Sequence, residues 1–389
     1  MTRKRQPGRV VAKAANGEGS IYQHAKGYWV AAVTAEDPAT GQKKRHCFYC
    51  KTQAEAKRRL KEALARVEQQ RPVRDADRTL ADWLAEWKRG ALEASDRKPT
   101  TKSNYRDLSR LHLEPPPFGS IPLSKLRPSH IERLMLSLRD RGLSDATRQR
   151  VFNILRAALK DAVRDGLIAE NPAERLKQPK VPRHEARFLT LEETRAVLEA
   201  AKDSRYYPVF ALIAALGLRR GEALGLKWED VDLEARVLRV RRTLSEVDGE
   251  LVLTEPKTAK ARRTLALSDG LVALLKEQRR RQIAERLQAG SWWTESGHVF
   301  TTEFGRPVHP SNLARTFRAA VSKAGVPGAS LHTLRHSAAT AWIEQGFSLK
   351  AVSELLGHAD IRVTADVYGH VAERVQREAI CKLADALGL

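Results

Sequence analysis

The sequence predicts a multidomain, mainly α-helical protein that also carries small antiparallel β-sheets. Three observations carry that expectation. Apolar residues recur at helical spacing through most of the chain after residue 79. Short β-prone runs bounded by turn residues occur near the start and again in the last third. Two polar, proline-containing stretches, 69–78 and 177–187, divide the chain of 389 residues into three segments, a length suited to two or three domains.

The first segment, residues 1–70, opens on a basic arm, Met1-Thr-Arg-Lys-Arg, with no apolar stretch after it of the kind a secretory signal carries. Three β-prone runs follow at 20–23, 28–33 and 46–49, separated by the turn residues Lys26-Gly27 and Asp37-Pro38 with Thr40-Gly41. Thr52 and Glu55 have capping-box spacing and start a helix whose apolar face is Leu60, Leu64 and Val67. The second segment, residues 79–182, reads as all helical. Thr79 and Asp82 cap a helix bearing Leu80, Trp83, Leu84 and Trp87. Further helices are expected from about Thr100, over 128–141 with Gly142 as its stop, and over 144–165 with Gly166 after it. The third segment, residues 188–389, starts with a helix capped by Thr190 and Glu193. An apolar helix over 210–218 then runs into Arg219. Strands are expected at 237–244, 251–253 and 263–267, with Asp248-Gly249 as a hairpin turn. Helices follow from about Ser268, Pro310, Thr333, Ser348 and Val363.

Composition narrows the function. Lys plus Arg number 69 against 47 Asp plus Glu, a net charge of +22 spread along the chain. Such a surplus suits a polyanion, because each neutralised phosphate releases condensed counterions. No run of about 18 apolar residues is present, so no membrane partner is expected. Three cysteines are too few for a disulfide framework and fit a reducing compartment. Cys47 and Cys50 have zinc-ligand spacing but lack a second pair, and are read as strand residues.

Five pieces of the third segment carry chemistry. Arg219, in Gly217-Leu218-Arg219-Arg220-Gly221-Glu222, pairs with Glu222 one turn on or forks onto a phosphate. Lys257, in Glu255-Pro256-Lys257-Thr258, is expected on a hairpin between two strands, where an ammonium is either solvated or donates a proton to a leaving oxygen. His332 and Arg335 lie three apart on one helical face. His332 and His336 also have zinc-ligand spacing, but Thr333 stands where the zinc protease motif needs Glu. His358 follows Leu356-Gly357 at a helix end, and Tyr368 lies ten residues further on.

In this order and spacing, Arg219, Lys257, His332, Arg335, His358 and Tyr368 resemble the tyrosine recombinase family, the phage integrases. The resemblance is close over about 188–376. Residues 79–182 look like the family's helical core-binding domain, and residues 1–70 like an arm-type DNA-binding domain. It implies the tyrosine recombinase catalytic fold and a site-specific recombinase that integrates and excises a mobile element through a 3′-phosphotyrosyl bond at Tyr368. Arg219 and Arg335 would clamp the scissile phosphate. Lys257 would protonate the 5′-oxygen, His332 would handle the tyrosine proton, and His358 would bond the phosphate. Gly-Leu-Arg, as the family has it, favours Arg219 over the adjacent Arg220. The implied partners are double-stranded DNA at crossover and arm-type sites and three further copies in a tetramer. A host DNA-bending protein and an excisionase are implied as accessories. The implied setting is the cytoplasm of a bacterial host. Two guanidiniums and an ammonium supply the charge that a metal would bring, so no metal or cofactor is expected. Other readings are a type IB topoisomerase, a non-catalytic DNA-binding regulator and a zinc hydrolase using His332 and His336.

Overall fold

The computed structural model describes residues 19–36, 43–68, 78–182, 187–255 and 259–387. The chain divides into two compact units, Met1–Pro182 and Arg183–Leu389.

The first unit begins with an antiparallel sheet, β1 (Ser20–Gln23), β2 (Trp29–Glu36) and β3 (Lys43–Cys50), in that spatial order. β1 has the expected bounds, while β2 and β3 run longer than the sequence indicated, because Ala and Lys positions of low β-propensity are held in register by β2 pairing with β3 from Trp29–Cys50 to Glu36–Lys43. Val30, Ala31, Ala32 and Val33 are all buried, as a central strand requires. Helix α1 (Gln53–Glu68) lays Ala56, Leu60, Ala63, Leu64 and Val67 on one face of the sheet. Thr52 Oγ1 accepts the Glu55 N–H, the cap expected from the sequence. Cys47 and Cys50 both lie on β3 and are not joined in a disulfide. The basic arm and most of the first polar stretch lie outside the described residues.

Among the described residues of this unit, four α-helices follow: α2 (Leu80–Trp87), α3 (Pro99–His112), α4 (Pro128–Asp140) and α5 (Asp145–Arg164). The capping box of Thr79 and Asp82 is formed at the start of α2. A single π-turn over Lys88–Leu92 extends α2 and turns Leu92 into the core. Trp83 and Trp87, both almost fully buried, tie α2 to α5. Trp83 Nε1 donates to the Ala158 carbonyl at 2.9 Å and Trp87 Nε1 to Asp161 Oδ2 at 2.7 Å. Each indole thus buries its apolar body while its polar tip is satisfied.

The second unit contains α6 (Leu191–Ala200), α7 (Tyr207–Leu216), α8 (Arg220–Leu224), strands β4 (Val231–Asp232), β5 (Val237–Val240), β6 (Thr243–Val247), β7 (Glu250–Thr254) and β8 (Arg263–Ala266), then α9 (Asp269–Ala289), α10 (Pro310–Lys323), α11 (Leu331–Glu344), α12 (Leu349–Leu356) and α13 (Ile361–Leu387). Two sequence expectations change here. The apolar helix does not run into Arg219, because Gly217 adopts φ +60° and ends α7; Arg219 instead caps the short α8. The run 237–244 is two strands in two sheets, β4-β5-β8 and β6-β7. The chain breaks at Arg241-Arg242, where Arg242 leaves the strand path to pair with Asp230 and Glu229. β7 and β8 therefore do not form one hairpin, although Asp248-Gly249 is the tight turn between β6 and β7, with φ +52° and +86°. Lys257 lies outside the described residues.

A large core spans α6, α7, α9, α10, the sheet strands and the start of α11. A smaller one joins α11, α12 and α13 through Ala339, Ile343, Val352, Leu356, Tyr368 and Val371. No helix among the described residues is long and apolar enough to cross a membrane. Because Trp83 is buried and hydrogen-bonded across α5, Trp83→Ala should cost about 3–5 kcal/mol of first-unit stability in urea denaturation. A cost under about 1 kcal/mol would mean that the indole does not anchor α2.

Candidate active site

Helix ends build the pocket. α7 ends at Gly217 and α12 ends at Gly357, both in left-handed backbone. The turn at Gly357 is closed by Gly357 N–H to Glu354 O and His358 N–H to Ser353 O, both 3.0 Å, which leaves the Leu356 carbonyl without a helix donor. Arg335, on α11, fills that vacancy. Its Nη2 donates to Leu356 O at 2.8 Å and its Nη1 to Gly217 O at 2.5 Å. Two helix C-termini, each with partial negative charge, thus hold one guanidinium. Burial, with Arg219 beside it, drags the Arg335 pKa down to about 9, which still leaves it charged at neutral pH.

Arg219 approaches from the start of α8. Its Nη1 donates to Glu222 Oε1 at 2.7 Å, and its backbone N–H donates to Glu222 Oε2 at 3.0 Å. The Arg219 side chain remains 40% exposed, whereas Glu222 is 2% exposed. Burial pushes the Glu222 pKa up, but Arg263 and Arg219 outweigh it and hold the carboxyl below its ordinary value. Arg220 is exposed and stands outside this network, so Arg219 is the arginine the fold brings inward.

Three imidazoles surround the guanidiniums. An arginine can only donate, so the 3.1 Å contact from Arg335 Nη2 makes His358 Nε2 an acceptor. The His358 proton then sits on Nδ1 and is donated to the buried Thr364 hydroxyl at 2.8 Å. His332 and His336 pack edge to face, 4.3 Å between ring centres. His332 reaches the surface, yet partial burial and the nearby Arg335 and Arg219 lower its pKa. Burial and neighbouring cations take His336 and His358 down to about 4, so both are neutral at pH 7.

Tyr368 lies on α13 and is 3% exposed. Its hydroxyl meets His336 Nδ1 at 2.5 Å, and burial pushes its pKa up to about 12. A phenol, two guanidiniums and three imidazoles from α8, α11, α12 and α13 therefore meet in one place. Among the described residues no group of three or more His, Cys, Asp or Glu is arranged to hold a metal ion.

The chain is similar to known proteins in sequence and in fold. The phage integrase family profile matches residues 187–374, and the phage integrase SAM-like domain matches residues 85–178. A tyrosine recombinase XerC-like protein of Caldanaerobacter subterraneus subsp. tengcongensis is 34% identical over 381 residues, covering 93% of this chain and 97% of that one. The chain belongs to the phage integrase family of tyrosine recombinases. An integrase of Streptomyces ambofaciens is 29% identical over 370 residues, covering 92% of this chain and 93% of that one. The recombinase shares its fold with the Tn1549 transposon integrase solved with a circular intermediate DNA, at TM-score 0.64 and 22% identity over 78% of this chain and 99% of that one. It shares it also with the lambda integrase tetramer solved on a Holliday junction, at TM-score 0.58 and 19% identity over 91% and 96% of the two chains. The enzyme is a site-specific recombinase of the class that acts through a tyrosine intermediate.

Of the six residues singled out in the sequence, Arg219, His332, Arg335, His358 and Tyr368 come together. The nearest imidazole to the phenol is His336 rather than His332. Residues i+3 and i+4 of one helix share a face, so the sequence could not rank them. Thr364 and Arg263 also belong to the site. Thr364 is one helical turn before Tyr368, a spacing that was visible but not distinctive.

The low histidine pKa values set a pH dependence. His336 and His358 bind protons near pH 6.5 when unfolded but only near pH 4 in the fold. Their contribution is full above pH 6.5 and is lost as pH falls toward 4, at most about 3 kcal/mol for each. Denaturation midpoints of the recombinase should therefore drop between pH 7 and pH 5, and His358→Asn should flatten that drop; an unchanged slope would contradict a neutral His358.

Proposed function

We propose that Tyr368 is the nucleophile that attacks a DNA phosphodiester held between Arg219 and Arg335. The observation that carries this reading is the single pocket in which the phenol, both guanidiniums and His358 meet. The phosphate's non-bridging oxygens would take the outward donors of Arg219 and displace His358 Nε2 from Arg335. Charge building on the pentacoordinate phosphorus is then met by groups already fixed by helix ends, so little reorganisation is needed. An anion between the guanidiniums also favours protonated His358, which could then donate to the phosphate through Nε2.

In the first step the Tyr368 oxygen forms a bond to phosphorus and the bond to the 5′-oxygen breaks. The phenol proton leaves through the imidazole pair, His336 by the hydrogen bond it already makes and His332 beside it, edge to face. Lys257 protonates the departing 5′-oxygen. The product is a 3′-phosphotyrosyl link that keeps the energy of the broken ester. A 5′-hydroxyl from a partner duplex can attack it in the reverse sense, and no ATP is consumed.

We propose double-stranded DNA as substrate, with residues 79–182 gripping the crossover region, residues 1–70 binding arm-type sites, and a tetramer as the synaptic assembly. The excess of 22 positive charges supports a polyanionic partner. A host DNA-bending protein and an excisionase are the proposed accessories, and the bacterial cytoplasm the proposed setting.

A nicked suicide substrate, whose cleaved end diffuses away, traps the covalent adduct. Wild-type protein should form it, and Tyr368→Phe should abolish it while leaving gel-shift binding intact; an adduct surviving in that variant removes Tyr368 from the chemistry. Lys257→Ala should slow cleavage at least roughly a hundredfold. A substrate with sulfur at the 5′-bridging position, whose thiolate leaves without a proton, should recover most of that rate, and no recovery would deny Lys257 the acid role.

A further inference from the structure

Arg263 is a buried guanidinium that the reaction above does not use. It sits on β8 with its side chain 6% exposed, and its Nη2 donates to Glu222 Oε2 at 2.9 Å. Its Nη1 donates to the Ala261 carbonyl at 3.3 Å, and its Nε is buried without a hydrogen-bond partner. The same side chain lies under the Gly357 turn, where a methyl on Gly357 would stand 3.0 Å from Nη1. Arg263 therefore touches both the carboxylate that orders Arg219 and the turn that delivers His358.

Stability alone does not account for such a residue. Burying an ion pair costs several kcal/mol of desolvation per charge, and an apolar pair of similar volume is often as stable or more so. The geometry offers another role. Arg335 Nη1 lies 3.9 Å from the Glu222 Oε2 that Arg263 occupies. Oε1 is taken by the Arg219 side chain, and Oε2 by the Arg219 backbone and Arg263. Oε2, the oxygen nearest Arg335, thereby has both lone pairs taken, and Arg335 keeps its donors on Gly217, Leu356 and His358. Remove Arg263, and a buried carboxylate oxygen with an open lone pair faces Arg335 Nη1 at 3.9 Å, about one ångström longer than an ordinary N–H···O hydrogen bond. A bond from the guanidinium to a carboxylate, with both partners ionised, is stronger than the bonds Arg335 now makes to neutral carbonyl and imidazole acceptors.

We propose that Arg263 is a positioning residue that occupies Glu222 so that Arg335 remains free to clamp the scissile phosphate. The proposal rests on the phosphate-binding reading of the pocket given above. Among the described residues, Arg219 at the start of α8, Arg335 on α11 and Arg263 on β8 face Glu222, and His358 bonds Arg335 through Nη2.

The test is single-turnover cleavage of the nicked substrate by the full-length chain, with duplex binding measured in parallel. Wild type forming no adduct would overturn the phosphate-binding reading itself, independently of Arg263. With wild type active, Arg263→Met should cleave at least thirtyfold more slowly, because Glu222 captures Arg335, while DNA affinity changes less than threefold. Arg263→Lys keeps the countercharge and should stay within about fivefold of wild type. The deciding variant is Arg263→Met with Glu222→Gln, which removes the uncompensated carboxylate. It should cleave at least tenfold faster than Arg263→Met alone, a rescue that lost packing would not give. If Arg263→Met does not fold, the double variant still decides: a soluble, cleaving protein supports the assignment. A double variant that is insoluble or no faster, or a folded lysine variant as slow as the methionine one, overturns it.

Discussion

One buried carboxylate organises the recombinase's pocket. Glu222 accepts from the Arg219 side chain, the Arg219 backbone and Arg263, and lies within ion-pair range of Arg335. Three guanidiniums drawn toward one buried region would repel one another strongly at low dielectric. A single negative charge among them makes the cluster tolerable, and a second would weaken the positive field that holds an anion. The helix ends do the rest: the Gly217 and Leu356 carbonyls hold Arg335 with dipoles rather than with full charges, so the guanidinium is fixed without being neutralised.

That arrangement explains why short elements matter here more than long ones. α8 has five residues, too short to persist alone, and its start is held by two bonds that Arg219 donates to the Glu222 carboxylate, one from its backbone and one from its side chain. The charge pair is thus also a helix cap, and the same contact fixes backbone and active group together. On the opposite side, the left-handed turn at Gly357 sends the chain back so that His358 faces Arg335 and Thr364. The pocket's ionic character is local. Its histidines are neutral because the surrounding cations and burial both disfavour a further positive charge.

Much of this could be read from the amino acids, and the gaps have physical causes. Helix starts were legible where Thr79, Thr190, Ser268 and Ser348 cap them, since a side-chain oxygen at a fixed offset leaves a local signature. The order Arg219, His332, Arg335, His358, Tyr368 was legible because the chemistry fixes residue types and the fold fixes spacing. The split of 237–244 into two strands was not, because Arg242 pairs with Glu229 and Asp230 across a turn that no local pattern announces. Arg263 was likewise hidden. In sequence it is the second of two adjacent arginines, and strand alternation puts one beside Glu222 and leaves the other at the surface, a choice decided only by which face of β8 is inward.

The contact between Tyr368 and His336 has a consequence for the molecule at rest. A phenol with a pKa of about 12 is ionised in roughly one copy in a hundred thousand at neutral pH, and here its ring is also walled in by Leu356, Ile343 and Val371. A chain carrying a large positive charge meets far more chromosome than target during its lifetime. On the proposal that Tyr368 is the nucleophile, an idle copy with that oxygen tethered to a neutral ring can linger on bystander duplex without leaving breaks behind it.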